Sequence, residues 1–229
     1  MLKSFIICIF IIVFLCINLF PSMAMTKISC IHDYSHDYTQ PLNAYFSSNT
    51  GARKTLMIIG GAISDLIFLT MLGLWTYKGT TWRFPLALVL VYLAKMMTSF
   101  LFRIRYPDNS LWEYPGFFSL TTPYGMANDS HFTVHVSLVY VVFLELMRNK
   151  YKVLAPFAFF IFMYQSFLVI ITRGAYIIDV FAAIIFGHAF FIIAEYLAYY
   201  IDVSIFGLTF QERFPNFDIE CSNCSFPIN

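Results

Sequence analysis

Two short polar stretches in an otherwise apolar chain carry side chains that can do chemistry. The first contains Asp129, His131 and His135, and the second runs from Arg173 to Asp179. A histidine with an aspartate suits general acid–base catalysis, and an arginine suits the binding of phosphate. Each stretch adjoins a long apolar run, where ionisable groups are costly and need a reason to be present. These residue types indicate a phosphate-handling surface at the membrane boundary, at the predicted starts of two helices.

The histidines of the first stretch are four residues apart, so they share one face of a predicted helix. Asp129 or Ser130 also suits the N-cap of that helix, which is the structural alternative to a functional role. Capping alone does not require His131 and His135. Both histidines are therefore candidate functional residues.

The composition excludes an ordinary soluble domain. Of the 229 residues, 59% are hydrophobic and 12% are charged, whereas soluble domains have about 25% charged residues. The net charge of +1 gives no basis for binding nucleic acid. Backbone groups in hydrocarbon must form hydrogen bonds within their own segment, which favours helices over strands. The predicted fold is an all-α polytopic membrane helical bundle.

Apolar runs of about 20 residues, the length that crosses a bilayer, divide the chain into predicted spans. The N-terminal segment 1–24 is interpreted as a signal-anchor or first transmembrane helix, or else as a cleaved signal peptide. A polar stretch at 25–54 is predicted to be a loop, and residues 202–229 are predicted to be a tail. Further spans are predicted at 55–77, 84–102, 131–147, 151–172 and 176–201. This gives about six transmembrane helices, or five if the N-terminal segment is cleaved.

Basic residues predict the orientation of these spans. One face has short loops without acids, and their basic residues are Lys3, Lys78, Arg83, Arg148, Lys150 and Lys152. The positive-inside rule makes this face cytosolic, so the loop 25–54 is lumenal and the tail 202–229 is cytosolic. The N-terminal segment favours the secretory or endomembrane system, with the mitochondrial inner membrane as the alternative.

Two ionisable residues lie well inside the predicted spans. Asp65 and Lys95 belong to adjacent antiparallel spans, and both lie roughly 10–15 Å from the lumenal end at 1.5 Å per residue. We predict that they form a buried intramembrane ion pair that joins the two helices. The alternative is a proton relay or a ligand site.

Cysteines and histidines do not predict a metal site. Cys221 and Cys224 have a CxxC spacing but supply only two ligands, whereas a structural zinc site needs four. His32 and His36 lie on the opposite predicted face of the membrane, so they do not complete the set. We expect neither a metal nor another cofactor.

The two polar stretches resemble the motifs of a known family. Residues 129–135 end in Thr-Val-His after an acid at position 129, and residues 172–179 read Thr-Arg-Gly-Ala-Tyr-Ile-Ile-Asp. The sphingomyelin synthase-like lipid phosphotransferases, which are related to type 2 phosphatidic acid phosphatases, have a first motif ending Ser-Gly-His and a second motif Thr-Arg-Gly-His-Tyr-Thr-Ile-Asp. The resemblance is nearest to the phosphatidylcholine:diacylglycerol cholinephosphotransferases. It covers about half of the chain and implies a five-helix lipid phosphotransferase-like membrane domain over residues 55–201.

The resemblance also implies roles for individual residues. In that family the second-motif histidine attacks phosphorus, the aspartate four residues later orients it, and the first-motif histidine acts as acid and base. His135 is then the acid–base residue and Asp179 the orienting acid. The nucleophile position is occupied by Ala175, which has no nucleophilic atom. Both catalytic positions are therefore expected to be vestigial. The candidate contacts to a lipid head group are Arg173, His131, Asp129 and Tyr176.

The expected function is that of a catalytically degenerate relative, or pseudoenzyme, of lipid head-group phosphotransferases. Such a protein acts as a structural or lipid-binding membrane protein or as an accessory subunit of a larger membrane complex. Its expected partners are membrane phospholipid and other membrane-protein subunits. The alternative is an active phosphocholine or related head-group transferase, or a lipid phosphatase, with a substitute nucleophile such as His131. A third hypothesis, a small transporter or channel, depends only on Asp65 and Lys95.

Overall fold

Helices make up most of the described chain, which comprises residues 33–101, 106–122, 124 and 132–213 of a computed structural model. No strand occurs among those residues. The helices are α1 (Tyr34–Tyr38), α2 (Gln40–Ser48), α3 (Thr50–Lys78), α4 (Arg83–Leu101), α5 (Val134–Arg148), α6 (Leu154–Ile171), α7 (Ile177–Tyr200) and α8 (Phe210–Arg213). A π-helical segment, Ile201–Ile205, continues α7.

Four of the described helices are long and apolar enough to cross a membrane. They are α3, α4, α6 and α7 with its π-helical continuation, which have lengths of 29, 19, 18 and 29 residues. A single apolar helix of about 20 residues spans the hydrocarbon core of a bilayer. The chain is therefore an integral membrane protein. The N-terminal segment 1–24 lies outside the described residues, so the predicted count of six spans stays a prediction.

Helix α5 occupies the centre of the bundle. It packs against α3, α4, α6 and α7, and residues such as Val136, Leu138 and Val142 are fully buried. Its 15 residues extend about 22 Å at 1.5 Å per residue, which is less than the hydrocarbon thickness of about 30 Å. The predicted span 131–147 is thus a shorter helix that begins at Val134 and faces protein.

Hydrogen bonds from one buried side chain join α3 to α6 within the bundle. The Nε2 amide of Gln165 donates to the Gly60 carbonyl and to Oγ of Ser64, both at 2.6 Å. A side-chain carbon at Gly60 would lie 2.7 Å from Cδ2 of Leu168. The two helices are therefore too close at this point for a side chain at position 60. Small residues and interhelical hydrogen bonds are typical of helix association in membranes.

The segment predicted to be a loop at 25–54 is helical over much of its length. Its residues 34–48 form α1 and α2, and Thr50 already begins α3. Asp33 caps α1, because its carboxylate accepts from the Ser35 backbone N–H at 2.9 Å. Pro41 lies in the first turn of α2, where proline is tolerated. Neither helix has enough apolar periodicity to be recognised from the sequence. Both helices therefore depend on packing against the bundle.

The predicted tail is likewise integrated into the fold at its start. Asp202 is fully buried, and its carboxylate accepts from Oγ1 of Thr81 at 2.7 Å and from the Trp82 backbone N–H at 3.1 Å. Nε of Arg213 donates to the same carboxylate at 3.2 Å. These contacts fasten α8 to the connection between α3 and α4. Residues 214–229 lie outside the described chain.

An ionic cluster built around a buried arginine joins α4, α5 and α7 at the end of the bundle where α4 begins. Nε and Nη2 of Arg83 donate to the two oxygens of Glu145 at 2.7 Å and 2.9 Å. Nη1 of Arg83 also donates to Glu195 at 3.3 Å, and Nη2 of Arg148 donates to the other oxygen of Glu195 at 2.9 Å. The side chains of Arg83 and Glu145 are 0% and 1% exposed. Glu145 lies near the end of α5, and its carboxylate turns inward to this arginine.

Asp65 and Lys95 do not form the predicted ion pair. Oδ1 of Asp65 accepts from Oγ of Ser119 at 3.0 Å and from the backbone N–H and Oγ1 of Thr121 at 2.8 Å and 2.7 Å. Oδ2 accepts from the Leu120 backbone N–H at 3.0 Å. The carboxylate thus anchors the 106–122 segment on α3. The prediction was wrong because similar depth in two helices does not ensure that the side chains point toward each other.

Candidate functional site

The residues of the two motifs converge at the end of the bundle where α5 and α7 begin. His135 lies in the first turn of α5, and Asp179 lies in the first turn of α7. The turn 172–176 that joins α6 to α7 carries Arg173 and Ala175. The fold therefore brings together residues that are far apart in sequence. The predicted head-group candidates Asp129 and His131 lie outside the described residues.

Lys95 is the cation of this site. It interacts electrostatically with Asp179 and with His135, and all three side chains are buried. Oδ2 of Asp179 accepts from the Tyr176 backbone N–H at 2.9 Å and so closes the first turn of α7. Sequence reasoning singled out Lys95 but assigned it to Asp65. Its depth in α4 was the available signal, and its partners depended on the packing of α4 against α5 and α7.

Trp112 fills the space between the two motifs. Its ring stacks on the imidazole of His135, with centroids 5.3 Å apart and an interplanar angle of 16°. A side-chain carbon at Gly174 would lie 2.7 Å from Cδ2 of Trp112, so the indole rests on the backbone of the second motif. The Leu111 backbone N–H donates to the Thr172 carbonyl at 2.7 Å and holds the segment there. Nothing in the sequence marked this tryptophan beyond its place in a polar connection.

Helix α1 lies over Ala175. An imidazole nitrogen of His36, Nε2, is 3.2 Å from the Ala175 carbonyl oxygen. Oδ2 of Asp33 accepts from the Ile177 backbone N–H at 2.7 Å, so this one carboxylate caps the starts of both α1 and α7. The same Asp33 oxygen is 3.9 Å from Nε2 of His36. The sequence placed His36 in a solvated loop, whereas its side chain is buried against the second motif.

Arg173 holds backbone groups at this end of the bundle. Nη1 of its guanidinium donates to the Asp108 carbonyl at 2.7 Å, and Nη2 donates to the His36 carbonyl at 3.4 Å. The residue adopts a left-handed conformation with a φ of 52°. Asn43 adds a further link, since its amide donates to the Ile171 carbonyl at 2.8 Å. The candidate phosphate-binding arginine therefore ties α1 and the 106–122 segment to the turn.

Asp33, which caps α1, and His36 within it have shifted pKa values for identifiable reasons. Burial lowers the pKa of His36, although the Asp33 charge and the Ala175 carbonyl oppose that effect. Burial alone would raise the pKa of Asp33, but hydrogen bonds from Ile177 and Ser35 bring it below its ordinary value. The folded protein therefore favours a neutral His36 beside an ionised Asp33.

Acidification is expected to loosen this end of the protein through His36. Because its pKa is lowered on folding, the unfolded chain binds more protons, so the free energy of unfolding falls as the pH drops through about 6.5. Thermal unfolding in detergent between pH 7.5 and 5.5 measures this slope. The variant His36→Gln should show a shallower slope than the wild type. The matched control is His188→Gln, since His188 is exposed. Equal slopes for all three proteins would contradict the assignment.

His135, Lys95 and Asp179 bring an imidazole, an amine and a carboxylate to one buried site, and groups of these types are suited to acid–base chemistry. Ala175 offers only a methyl group, so position 175 supplies no nucleophile. Within the described residues, no group of three or more histidine, cysteine or acidic side chains is placed to hold a metal ion.

Comparisons of the chain with protein-family models, with curated proteins and with solved structures give no match. The resemblance to the lipid phosphotransferases thus depends on the residues of the two motifs alone.

Proposed function

We propose that this integral membrane protein is a catalytically degenerate relative of the lipid head-group phosphotransferases. It serves as a structural or lipid-binding membrane protein or as an accessory subunit of a larger membrane complex. The observation that supports this proposal most directly is Trp112 packed between His135 and Gly174, beside a nucleophile position occupied by Ala175. Its partners are membrane phospholipid and other membrane subunits.

Two further contacts favour a structural role for the motif residues. The Arg173 guanidinium donates to two backbone carbonyls, so the group that would bind phosphate holds the chain together. Oδ2 of Asp179 accepts from the Tyr176 backbone N–H and stabilises the start of α7. In an active site the guanidinium of Arg173 would instead contact the substrate, and the carboxylate of Asp179 would contact the nucleophile. We place the protein in a secretory or endomembrane compartment, with the mitochondrial inner membrane as the alternative.

An exchange assay tests the loss of catalysis. Purified full-length protein is incubated in mixed micelles with diacylglycerol and with phosphatidylcholine labelled in its head group. We expect no transfer of labelled phosphocholine above a protein-free blank, and the same result for His135→Ala. Gel filtration and circular dichroism confirm that both proteins are folded. Transfer by the wild type that His135→Ala abolishes would overturn the proposal.

Native purification tests the accessory-subunit form of the proposal. Solubilisation in a mild detergent should yield a complex in which this chain and at least one other membrane protein occur in a fixed ratio. A monomeric protein that carries only lipid would exclude the subunit role and leave the lipid-binding role.

A second candidate function is an active phosphotransferase, and the position of His36 favours it. This histidine brings an imidazole to the Ala175 backbone, with Asp33 only 3.9 Å from its Nε2 atom. In such an enzyme an imidazole nitrogen attacks phosphorus, the bond from phosphorus to the diacylglycerol oxygen breaks, and His135 protonates the departing alkoxide. A second diacylglycerol then accepts the head group by the reverse steps.

The second candidate predicts a phosphohistidine that the first does not. Wild-type protein incubated with phosphatidylcholine labelled at phosphorus should acquire an acid-labile label on the protein. His36→Ala should lose the label, while His188→Ala should retain it. An unlabelled wild-type protein excludes this candidate.

A further inference from the structure

A cavity at the opposite end of the bundle from the motif residues has the features of a ligand site. It lies where α3 and α5 end, next to Arg213 at the end of α8, and its volume is about 350 Å³. One wall is apolar and is formed by Met71, Leu74 and Trp75, while Lys78, Asn149 and Arg213 contribute polar groups. Binding pockets have volumes of about 300–1,000 Å³ and combine apolar walls with a few polar groups.

The walls of this cavity are held in place by hydrogen bonds. Nε1 of Trp75 donates to the Thr81 carbonyl at 2.8 Å, so the indole is fixed where α3 ends. Nε of Arg213 donates to Asp202 at 3.2 Å, and its guanidinium lies over the ring of Tyr199 at 5.0 Å. A site with fixed walls loses little conformational entropy on binding, which favours affinity.

The charge balance of the cavity favours an anion. Glu145 is the acidic residue in its wall, but both of its carboxylate oxygens accept from Arg83 and one also accepts from Asn149 at 2.8 Å. Of the two basic residues in the wall, Arg213 is paired with Asp202, so Lys78 carries the remaining positive charge. The Lys78 side chain is exposed, and no hydrogen bond or ion pair within the described residues engages it. The cavity therefore offers a net positive charge next to apolar surface.

We propose that this cavity binds the phosphate-bearing head group of an anionic phospholipid from the adjacent leaflet. The phosphate lies beside Lys78, and the acyl chains follow the apolar surface of α3 at Met71 and Leu74. An amphiphile matches this combination better than a free phosphate, because the cavity lies where a membrane-spanning helix ends and one wall is apolar. The site lies away from His135 and Ala175, so the proposal goes beyond the proposed function and holds whether or not the motif residues are catalytic.

Lipid-dependent thermal stabilisation of the full-length protein in a nonionic detergent tests the proposal. The probes are dioleoylphosphatidylglycerol, dioleoylphosphatidylcholine and inorganic phosphate, each titrated at constant ionic strength. We expect a saturable rise in Tm with phosphatidylglycerol, a weaker one with phosphatidylcholine and none with inorganic phosphate. Lys78→Ala should raise the apparent Kd for phosphatidylglycerol about five-fold, the effect of one basic group beside an anionic membrane surface. Lys78→Glu should raise it further.

The matched control is Lys54→Ala. Lys54 is an exposed lysine in the same helix α3 but at its other end, so its replacement should leave the apparent Kd unchanged. Equal effects of Lys54→Ala and Lys78→Ala would overturn the site, since they would indicate attraction by overall charge. Saturation by inorganic phosphate without saturation by lipid would overturn the lipid assignment. The exchange assay is a separate measurement, so failure of this site leaves the proposed function untouched.

Discussion

Replacement of Arg83 by methionine is expected to lower the free energy of unfolding by about 3–5 kcal/mol, the cost of leaving a buried charge without its partner. Glu145 would keep its carboxylate at 1% exposure after losing both guanidinium hydrogen bonds. A charge in a protein interior is tolerated only when a partner of opposite charge balances it. The single variant leaves Glu145 without that partner, so it loses more stability than the loss of one contact would cost. Reversible unfolding of the purified protein in mixed micelles measures the change.

Two further variants separate the buried pair from ordinary surface charge. The double variant Arg83→Met/Glu145→Leu should recover most of the lost stability, since it leaves no unbalanced charge at that position. Arg148→Met removes an arginine that also pairs with Glu195 but is 41% exposed, and it should cost about 0–1 kcal/mol. A double variant as unstable as Arg83→Met would show that another property of Arg83, such as its packing over Phe191, dominates.

Replacement of Asp65 by alanine is expected to cost about 3 kcal/mol and to release the 106–122 segment from α3. Hydrogen bonds to a charged group contribute about 1.5–3 kcal/mol each, and their contributions are not additive. The Asp65 carboxylate accepts from Ser119, Leu120 and Thr121. Asp65→Asn should cost less, because the amide oxygen still accepts. Unfolding in mixed micelles and limited proteolysis within 106–122 measure the two consequences.

A double-variant cycle distinguishes this role of Asp65 from an ion pair with Lys95. The cost of Asp65→Ala should be the same in the wild type and in a Lys95→Met background, since the two side chains do not pair in the structure. Thr121→Val is the matched variant in the 106–122 segment. It should cost about 1 kcal/mol, because it removes the Thr121 hydroxyl that donates to Asp65. Rescue of Asp65→Ala by Lys95→Met would restore the ion-pair interpretation.

The membrane helices were predictable because their cause is local. An apolar run of sufficient length must be helical in hydrocarbon, whatever surrounds it. The predicted runs at 55–77 and 151–172 therefore coincide with α3 and α6 to within a few residues. The run at 131–147 was predicted as a span because composition does not distinguish lipid-facing from protein-facing residues. Its helix, α5, is short and central, which only packing could show.

The segments outside the spans were less predictable. Helices α1 and α2 have little apolar periodicity, and their positions depend on contacts between distant parts of the chain, such as that of Asn43 with Ile171. The burial of Asp202 was unpredictable for the same reason. Its partners are Thr81, which is distant in sequence, and Arg213, which follows it. A polar composition alone does not separate such docked segments from solvated ones.

The candidate site was predicted in part. The spans predicted at 151–172 and 176–201 located the turn between α6 and α7, and the residue order at 172–179 made the residues of that turn candidates for a functional role. The same pattern could not reveal Trp112 or His36, which reach the turn from segments more than 60 residues away. Those two residues decide whether the site has space for a substrate and whether an imidazole stands beside Ala175.

The sequence by itself determined that the chain is a helical membrane protein, where its apolar helices lie and that position 175 carries no nucleophile. These properties depend only on residue type and on the length of apolar runs. The tertiary structure alone decided which charged side chains meet which partners, so that Arg83 pairs with Glu145 and the Asp65 carboxylate binds Ser119 and Thr121 rather than Lys95. The physical reason is that partner choice depends on the rotation and depth of each helix against its neighbours. Contact with lipid has nearly the same energy for many rotations of an apolar helix. The rotation of each helix is therefore set by interhelical packing and hydrogen bonds.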